Sequence, residues 1–394
     1  MKSHQNLLSD RMKSEKLLNT LDKTATQTLG EETLIHHSVY AKKLRPLLPS
    51  EAFKPDGSKL VILSINMVIL LLGWGIAARL DHWPVYLLWL YLPLALIMGN
   101  SVIALSFISH DFMHGSVQKK SRITEIISFL GFAMLFMPPT HWKSLHNIVH
   151  HSQTNSLGDP DRNYLYQQPN TWGKRIQNFF VPSLDFNPFW FFIVGMAGSW
   201  LFHNFSTLSS ILLFNNKSVD YVPAAFTVSE RDRWRIALEF IGILCLHFSI
   251  LFYLDFHPLK LAFGYFLPLA ISHSGIMFYI YTNHLICRMT SVNDPLINSL
   301  SLRVHKIFDL LHFNFSYHTE HHIFPSLNSD YYPLVQELIE IHYPERMNLL
   351  DAGEAWQLLM QTPRHYKDEV TLTDYLGKTS VNCPLDNSAV TPLP

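Results

Sequence analysis

The residues in this chain whose type and spacing could do chemistry are three histidine clusters: His110-Asp-Phe-Met-His114, His146-Asn-Ile-Val-His150-His151 and His318-Thr-Glu-His321-His322. Neutral imidazole binds iron, zinc, copper or nickel, so residue type alone does not name the metal. Spacing narrows the choice. On a helix, residues three or four apart share a face, about 5–6 Å apart at Cβ. His110 with His114, His146 with His150, and His318 with His321 or His322 can therefore each grip one metal. An adjacent His-His pair sends its members in different directions, so a helix carrying a triplet can reach two neighbouring metals. Eight imidazoles are too many for one tetrahedral zinc, whereas two metals with four or five nitrogens each fit the number. His284, in Thr282-Asn283-His284, is a candidate ninth ligand. Ligating histidines pass their other ring N–H to an acceptor. Asp111, Glu320, Asp159, Asp161 and Asn283 are the candidates to lie behind the rings.

The elements that must position these clusters are apolar. Hydrophobic residues make up 48% of the chain and charged residues 15%, against about 25% charged in a typical soluble domain. Four stretches, 60–78, 85–108, 236–254 and 259–281, have the roughly 20 predominantly apolar residues that a bilayer core requires. They must be helical, because lipid offers no partner to unpaired backbone amides. The links within the pairs carry only Arg79 and Lys260, while the first 59 residues carry ten Lys or Arg. Positive segments stay cytoplasmic, so both hairpin tips point away from the cytoplasm and all three clusters meet on its side. The fold expected is an all-α integral membrane protein: four transmembrane helices in two hairpins, with a cytoplasmic helical cap holding the metal site. Segments 123–137 and 188–214 should not span, since an odd crossing would separate the clusters. Both are expected to lie flat at the interface.

The chain divides into a polar arm (1–59), a membrane domain (60–326) and a polar carboxy-terminal segment (327–394). In that last segment, 331–342 has a helical apolar pattern and the last fifteen or so residues have a disordered composition. The net charge of −1 gives no support for nucleic-acid binding. Cys245, Cys287 and Cys383 form no CxxC pair. His247 and His273 lie inside apolar stretches and match no cluster, so hydrogen bonding between helices is their expected role. His141, His305 and His312 flank the clusters and are expected to ligate nothing. Lys119, Lys120 and Arg122 could dock an acidic protein or simply set topology.

The runs 109–116, 142–151 followed by Gly158-Asp-Pro-Asp161, and 314–326 resemble the three histidine boxes of the membrane fatty acid desaturase family. The HxxxH, HxxxHH and HxxHH spacings, their order, and the paired spans between them all match, over about 60–326. The resemblance implies two irons held by the eight boxed histidines and a further one, carried here by His284. It implies O2 as co-substrate and an acyl-lipid or acyl-CoA substrate that gains a cis double bond. Hydroxylases and ketolases of sterols and carotenoids have similar boxes and are the alternative. His318 stands where cytochrome-fused desaturases often have glutamine, and the chain lacks the haem-binding His-Pro-Gly-Gly. A separate electron donor, a ferredoxin or small b-type cytochrome, is therefore expected.

Overall fold

The computed structural model describes residues 26–29, 32–117, 121–159, 195–214, 226–344, 346–374 and 376–385. Helices dominate: α1 (His37–Leu44), α2 (Lys59–Ala77), α3 (Leu92–His114), α4 (Arg122–Ala133), α5 (Met196–Leu212), α6 (Glu230–Tyr253), α7 (Leu267–His284), α8 (His318–Ile323), α9 (Tyr332–His342) and α10 (Ala352–Gln361). Four helical runs are long and apolar enough to cross a membrane: Lys59–His82, Val85–His114, Glu230–Tyr253 and Pro258–His284. Their outer faces leave Val61, Leu71, Leu72, Leu238, Phe248 and Phe252 uncovered. At one end of the bundle Lys260 bridges the two links, bonding Asp255 at 2.8 Å and Asp81 at 3.2 Å.

The all-α expectation needs correcting outside these helices. β1 (Thr26–Leu29) and β2 (Glu32–Ile35) form an antiparallel hairpin, and β3 (Ser301–Arg303) pairs in parallel with β4 (Leu349–Asp351). β5 (His365–Tyr366), β6 (Thr371–Thr373) and β7 (Ser380–Asn382) form a small antiparallel sheet. That sheet also corrects the reading of the chain's end, since 380–382 is paired strand. Its inner side is apolar: Tyr366, Leu372 and Cys383 bury against Met289. These pieces are too short to show as period-two runs in sequence.

α3 is the central element. It packs against α2, α4 and α7, and a helix surrounded on all sides is apolar on all sides. That is why 101–112 is buried without interruption. α3 ends on the last residue of the first cluster, His114, because Gly115 takes a left-handed φ of 85°, the usual glycine stop. α4 approaches it so closely at Gly131 that an added Cβ would stand 1.7 Å from Ser109 Oγ. The arm is not a separate layer: Tyr40, Leu44 and Ala52 share one core with Ile323, Phe324, Val335 and Ile339, which covers the third cluster.

Neither α4 nor α5 simply lies flat on the bundle. The chain leaving α4 is buried at 132–135 and at Met137, with Phe136 half-buried, and bonds side chains of α6 and α7: His247 Nε2 donates to Ala133 O at 2.9 Å and His273 Nε2 to Met134 O at 3.1 Å. α5 packs along α7, and its polar residues face protein, with Asn204 fully buried. The physical reason is that a helix end leaves carbonyls without partners, and these apolar helices carry the donors that meet them. His247 also takes a hydrogen bond from Tyr265 at 2.7 Å. Residues 160–194, which include Asp161 and the start of the 188–214 segment, lie outside the described residues, as do Lys119 and Lys120.

Candidate metal centre

Local backbone sets up each cluster. His110 and His114 are one turn apart at the end of α3. The second cluster sits on a π-helical turn, Lys143–His150, a rare conformation frequent at functional sites. Its wider turn brings His146 beside both His150 and His151, at centroid separations of 5.0 and 4.7 Å. The third cluster occupies α8, buried throughout.

The structure gathers all nine candidate histidines into two groups. His110, His114, His146, His151 and His321 form one, and His150, His284, His318 and His322 the other; within each, the ligating nitrogens lie within 4.8 Å of one another. The adjacent pairs His150-His151 and His321-His322 divide between the groups, and His318 joins His322 rather than His321.

The contacts suit cations better than hydrogen bonds. In the first group His146 Nε2 lies 3.2 Å from His110 Nε2 and 3.1 Å from His151 Nε2, which lies 3.1 Å from His321 Nε2. In the second, His318 Nε2 is 2.7 Å from His284 Nε2 and 3.1 Å from His322 Nε2. A ring nitrogen has one proton or one lone pair and cannot satisfy two neighbours. Nitrogens sharing one metal at about 2.1 Å stand about 3 Å apart, as these do. Burial, and then the neighbouring rings, hold His146, His151, His318, His321 and His322 well below the ordinary imidazole pKa, which keeps them in the neutral, ligating form.

The far sides of the rings fix the tautomers. His150 Nδ1 donates to both oxygens of Asp159 at 3.0 Å, and His284 Nδ1 to the carbonyl of Asn298 at 3.2 Å. His110 Nδ1 faces Asp111 at 3.3 Å. Thr154 Oγ1 donates to His150 O, so it is free to accept from His322 Nδ1 at 3.2 Å. In each case Nε2 keeps its lone pair for the site. His321 Nδ1 meets the Tyr332 hydroxyl at 3.0 Å, and Trp142 stacks on His146.

Among the candidates for the second rank, Asp111 and Asp159 touch imidazoles and two others do not. Glu320 bonds Ser301 Oγ at 2.6 Å and Gln336 Nε2 at 2.8 Å. Residues two apart on a helix do not share a face, so from between His318 and His322 it points away from both. Burial pushes its carboxyl up to about 7. The Asn283 side chain is buried and meets no histidine, while its carbonyl accepts from Leu300 N. Sequence reasoning missed Tyr332, Thr154 and Lys59, whose ammonium donates to Asp111 at 2.8 Å and Ser329 at 2.6 Å in a buried setting. No local pattern marks them, because their partners are distant in the chain. His312 bonds Tyr279 and Asn100, and His141 bonds Thr207; neither belongs to the two groups.

A pocket adjoins both groups, bordered by His110, His146, His150, His284 and His318 and otherwise mainly by apolar side chains such as Phe107, Met277, Ile280 and Phe315. A sequence profile described as fatty acid desaturase matches residues 81–349. The chain belongs to the fatty acid desaturase family. Among curated relatives, an omega-3 fatty acid desaturase of Caenorhabditis elegans is 28% identical over 34% of this chain and 33% of its own length. An sn-1 oleoyl-lipid 12-desaturase of Picosynechococcus is 28% identical over 32% and 34%. The chloroplastic omega-6 fatty acid desaturase of Arabidopsis thaliana is 30% identical over 33% and 27%. The alignments thus span about a third of these relatives.

Proposed function

We propose that this protein is an O2-dependent membrane fatty acid desaturase that introduces a cis double bond into an acyl chain. The observation that carries the reading is the joining of two histidine groups, five and four nitrogens strong, to one apolar cavity. His110, His114, His146, His151 and His321 would hold one iron, and His150, His284, His318 and His322 the other. Iron held there would supply the oxidising chemistry: with O2, two electrons from the donor and two protons, loss of one hydrogen from each of two adjacent methylenes would give the double bond and two waters.

The chain's own residues do the rest. Phe107, Met277, Ile280 and Phe315 bury the acyl chain and keep water from the reacting carbons. Asp159, Asp111, Thr154 and the Asn298 carbonyl keep Nε2 of their histidines aimed inward. Placement matters because errors of about 1 Å can cost about 100-fold in rate. The four long helices cross the bilayer in two hairpins, with the metal centre on the cytoplasmic side. Support comes from the lysine and arginine distribution and from Lys260, which ties the two links together at the opposite end. An acyl-lipid or acyl-CoA is the substrate, the former being what the name of the sn-1 oleoyl-lipid 12-desaturase of Picosynechococcus indicates for that protein. Electrons come from a separate donor, a ferredoxin or small b-type cytochrome.

The test is mass spectrometry of total lipids from a host expressing the chain, beside one expressing His321→Ala, with iron measured in both purified proteins. A double bond present only with the intact chain, and less iron in the variant, is the expected result. A new hydroxyl or keto product would overturn desaturation in favour of oxygen insertion, and full iron in the variant would overturn the ligand set.

A further inference from the structure

The turn after α4 is built with unusual care for a stretch that ligates nothing. Four successive carbonyls, of Ala133, Met134, Leu135 and Phe136, each receive a side-chain donor. His247 and His273 meet the first two, Trp200 Nε1 reaches Leu135 O at 2.8 Å, and Asn204 Nδ2 reaches Phe136 O at 2.7 Å. Phe136 is held at a φ of 56° with its ring stacked 3.8 Å from His247. These four donors come from α5, α6 and α7, and they include polar residues that the apolar helices do not otherwise need.

The turn is also deep. His273 lies about 16 Å along α7 from His284, at 1.5 Å per residue. Irregular backbone at such a depth is tolerated only where protein buries it or it lines a cavity, and here both hold. Leu135 and Met137 line the apolar cavity, alongside Trp200 and Met277. Met277 sits about 10 Å along α7 from His284 by the same rise. The turn therefore stands at the cavity end remote from the histidines, and its carbonyl caps fix it to the helix that carries His284.

We propose that this turn is the stop of the acyl cavity: Leu135 and Met137 receive the methyl end of the chain, and their distance from the metal centre sets which carbons react. The proposal rests on the desaturase reading. His247 and His273 are then positioning residues, which act through the turn they hold. A fixed stop makes the enzyme count from the methyl end, and a deeper stop draws carbons nearer the carboxyl end into reach.

The experiment expresses the full chain in a host fed saturated and monounsaturated acids of several lengths, and locates each new double bond by mass spectrometry. With the wild type, the distance from the methyl end stays constant as chain length varies. Leu135→Ala and Met137→Ala move the bond by one or more carbons away from the methyl end, and Leu135→Phe moves it towards the methyl end. His247→Leu spreads the product over neighbouring positions while iron content stays at the wild-type level. A wild-type bond at a constant distance from the carboxyl end overturns the stop and leaves the desaturase intact. So does an active Leu135→Ala enzyme with an unchanged product. No new double bond from an iron-loaded wild type would instead overturn the function itself. The wild-type chain-length series decides the matter even where a variant fails to fold.

Discussion

The two histidine groups are built from the same residue type, yet they are secured differently. The first leans on side chains drawn from far apart. His110 is backed by Asp111, which is paired to Lys59 at the start of α2, and His321 is backed by Tyr332 of α9. The second leans on the 154–159 loop and on main chain: His150 on Asp159, whose carboxylate also accepts from Asn155 N at 2.7 Å, His322 on Thr154, and His284 on the Asn298 carbonyl. The first group therefore depends on how the long helices assemble, the second on how one loop closes. A buried ion pair stabilises less than its geometry suggests, because desolvation offsets the attraction, but breaking it leaves a costly lone charge.

The largest effects should come from the adjacent pair that the groups divide. His321→Ala and His322→Ala each remove a ligand from a different group, so each should abolish desaturation and lower bound iron, measured by elemental analysis of the detergent-purified protein. His305→Ala, outside both groups, should leave iron and activity within about twofold of wild type. His284→Ala belongs with the ligand variants; full iron occupancy there would return the second group to three histidines.

Next come the supports. Lys59→Met leaves Asp111 buried without its cation, which should cost about 3–5 kcal/mol of stability. Asp159→Asn should weaken iron binding about 10–100-fold with a smaller loss in stability. Thermal unfolding and iron titration of both variants would separate the groups. Equal losses of stability would show that the contrast drawn above is wrong.

Acidification tests what the groups share. Burial lowers the pKa of His146, His151, His318, His321 and His322 below the value near 6.5 they have in an unfolded chain. Between those two values the unfolded chain binds more protons than the folded one. Stability is therefore fully present above about 6.5 and is lost as pH falls below it. Iron retention and melting temperature should be flat from about pH 8 to 7 and fall steeply on further acidification. A flat profile down to pH about 5 would mean that these rings do not carry the pH dependence.

What could be read beforehand follows from what is local. The clusters, the four apolar runs and the candidacy of His284 are written in spacing and composition. Asp111 and Asp159 were within reach because each follows its histidine closely in the chain. The division into five and four was open, since it depends on the π-helical turn and on how α8 meets α3. Glu320 bonds Ser301 and Gln336 instead of a ring, because proximity along the chain does not give the direction of a side chain. α4 shows the limit most clearly. Its shortness and the need to keep the clusters on one side point to an interfacial helix, and nothing within it reveals that His247 and His273, over a hundred residues later, meet its carbonyls. Those two histidines signalled an unmet acceptor in the apolar layer without saying which.

The smallest predicted effects lie in the hydroxyls behind the two groups. Tyr332→Phe removes the group that faces His321 Nδ1, and Thr154→Val removes the one that faces His322 Nδ1. Each should cost about 0.5–1.5 kcal/mol, read as a several-fold weakening of iron binding with the fold intact. The two losses should still differ. Thr154 also donates to the His150 carbonyl at 2.8 Å and so ties together two histidines of one group, whereas Tyr332 supports a single ring. Thr154→Val should therefore be the more harmful. A larger loss from Tyr332→Phe would instead place the greater demand for orientation on the five-histidine group, where a single ring out of line strains the most crowded set of nitrogens.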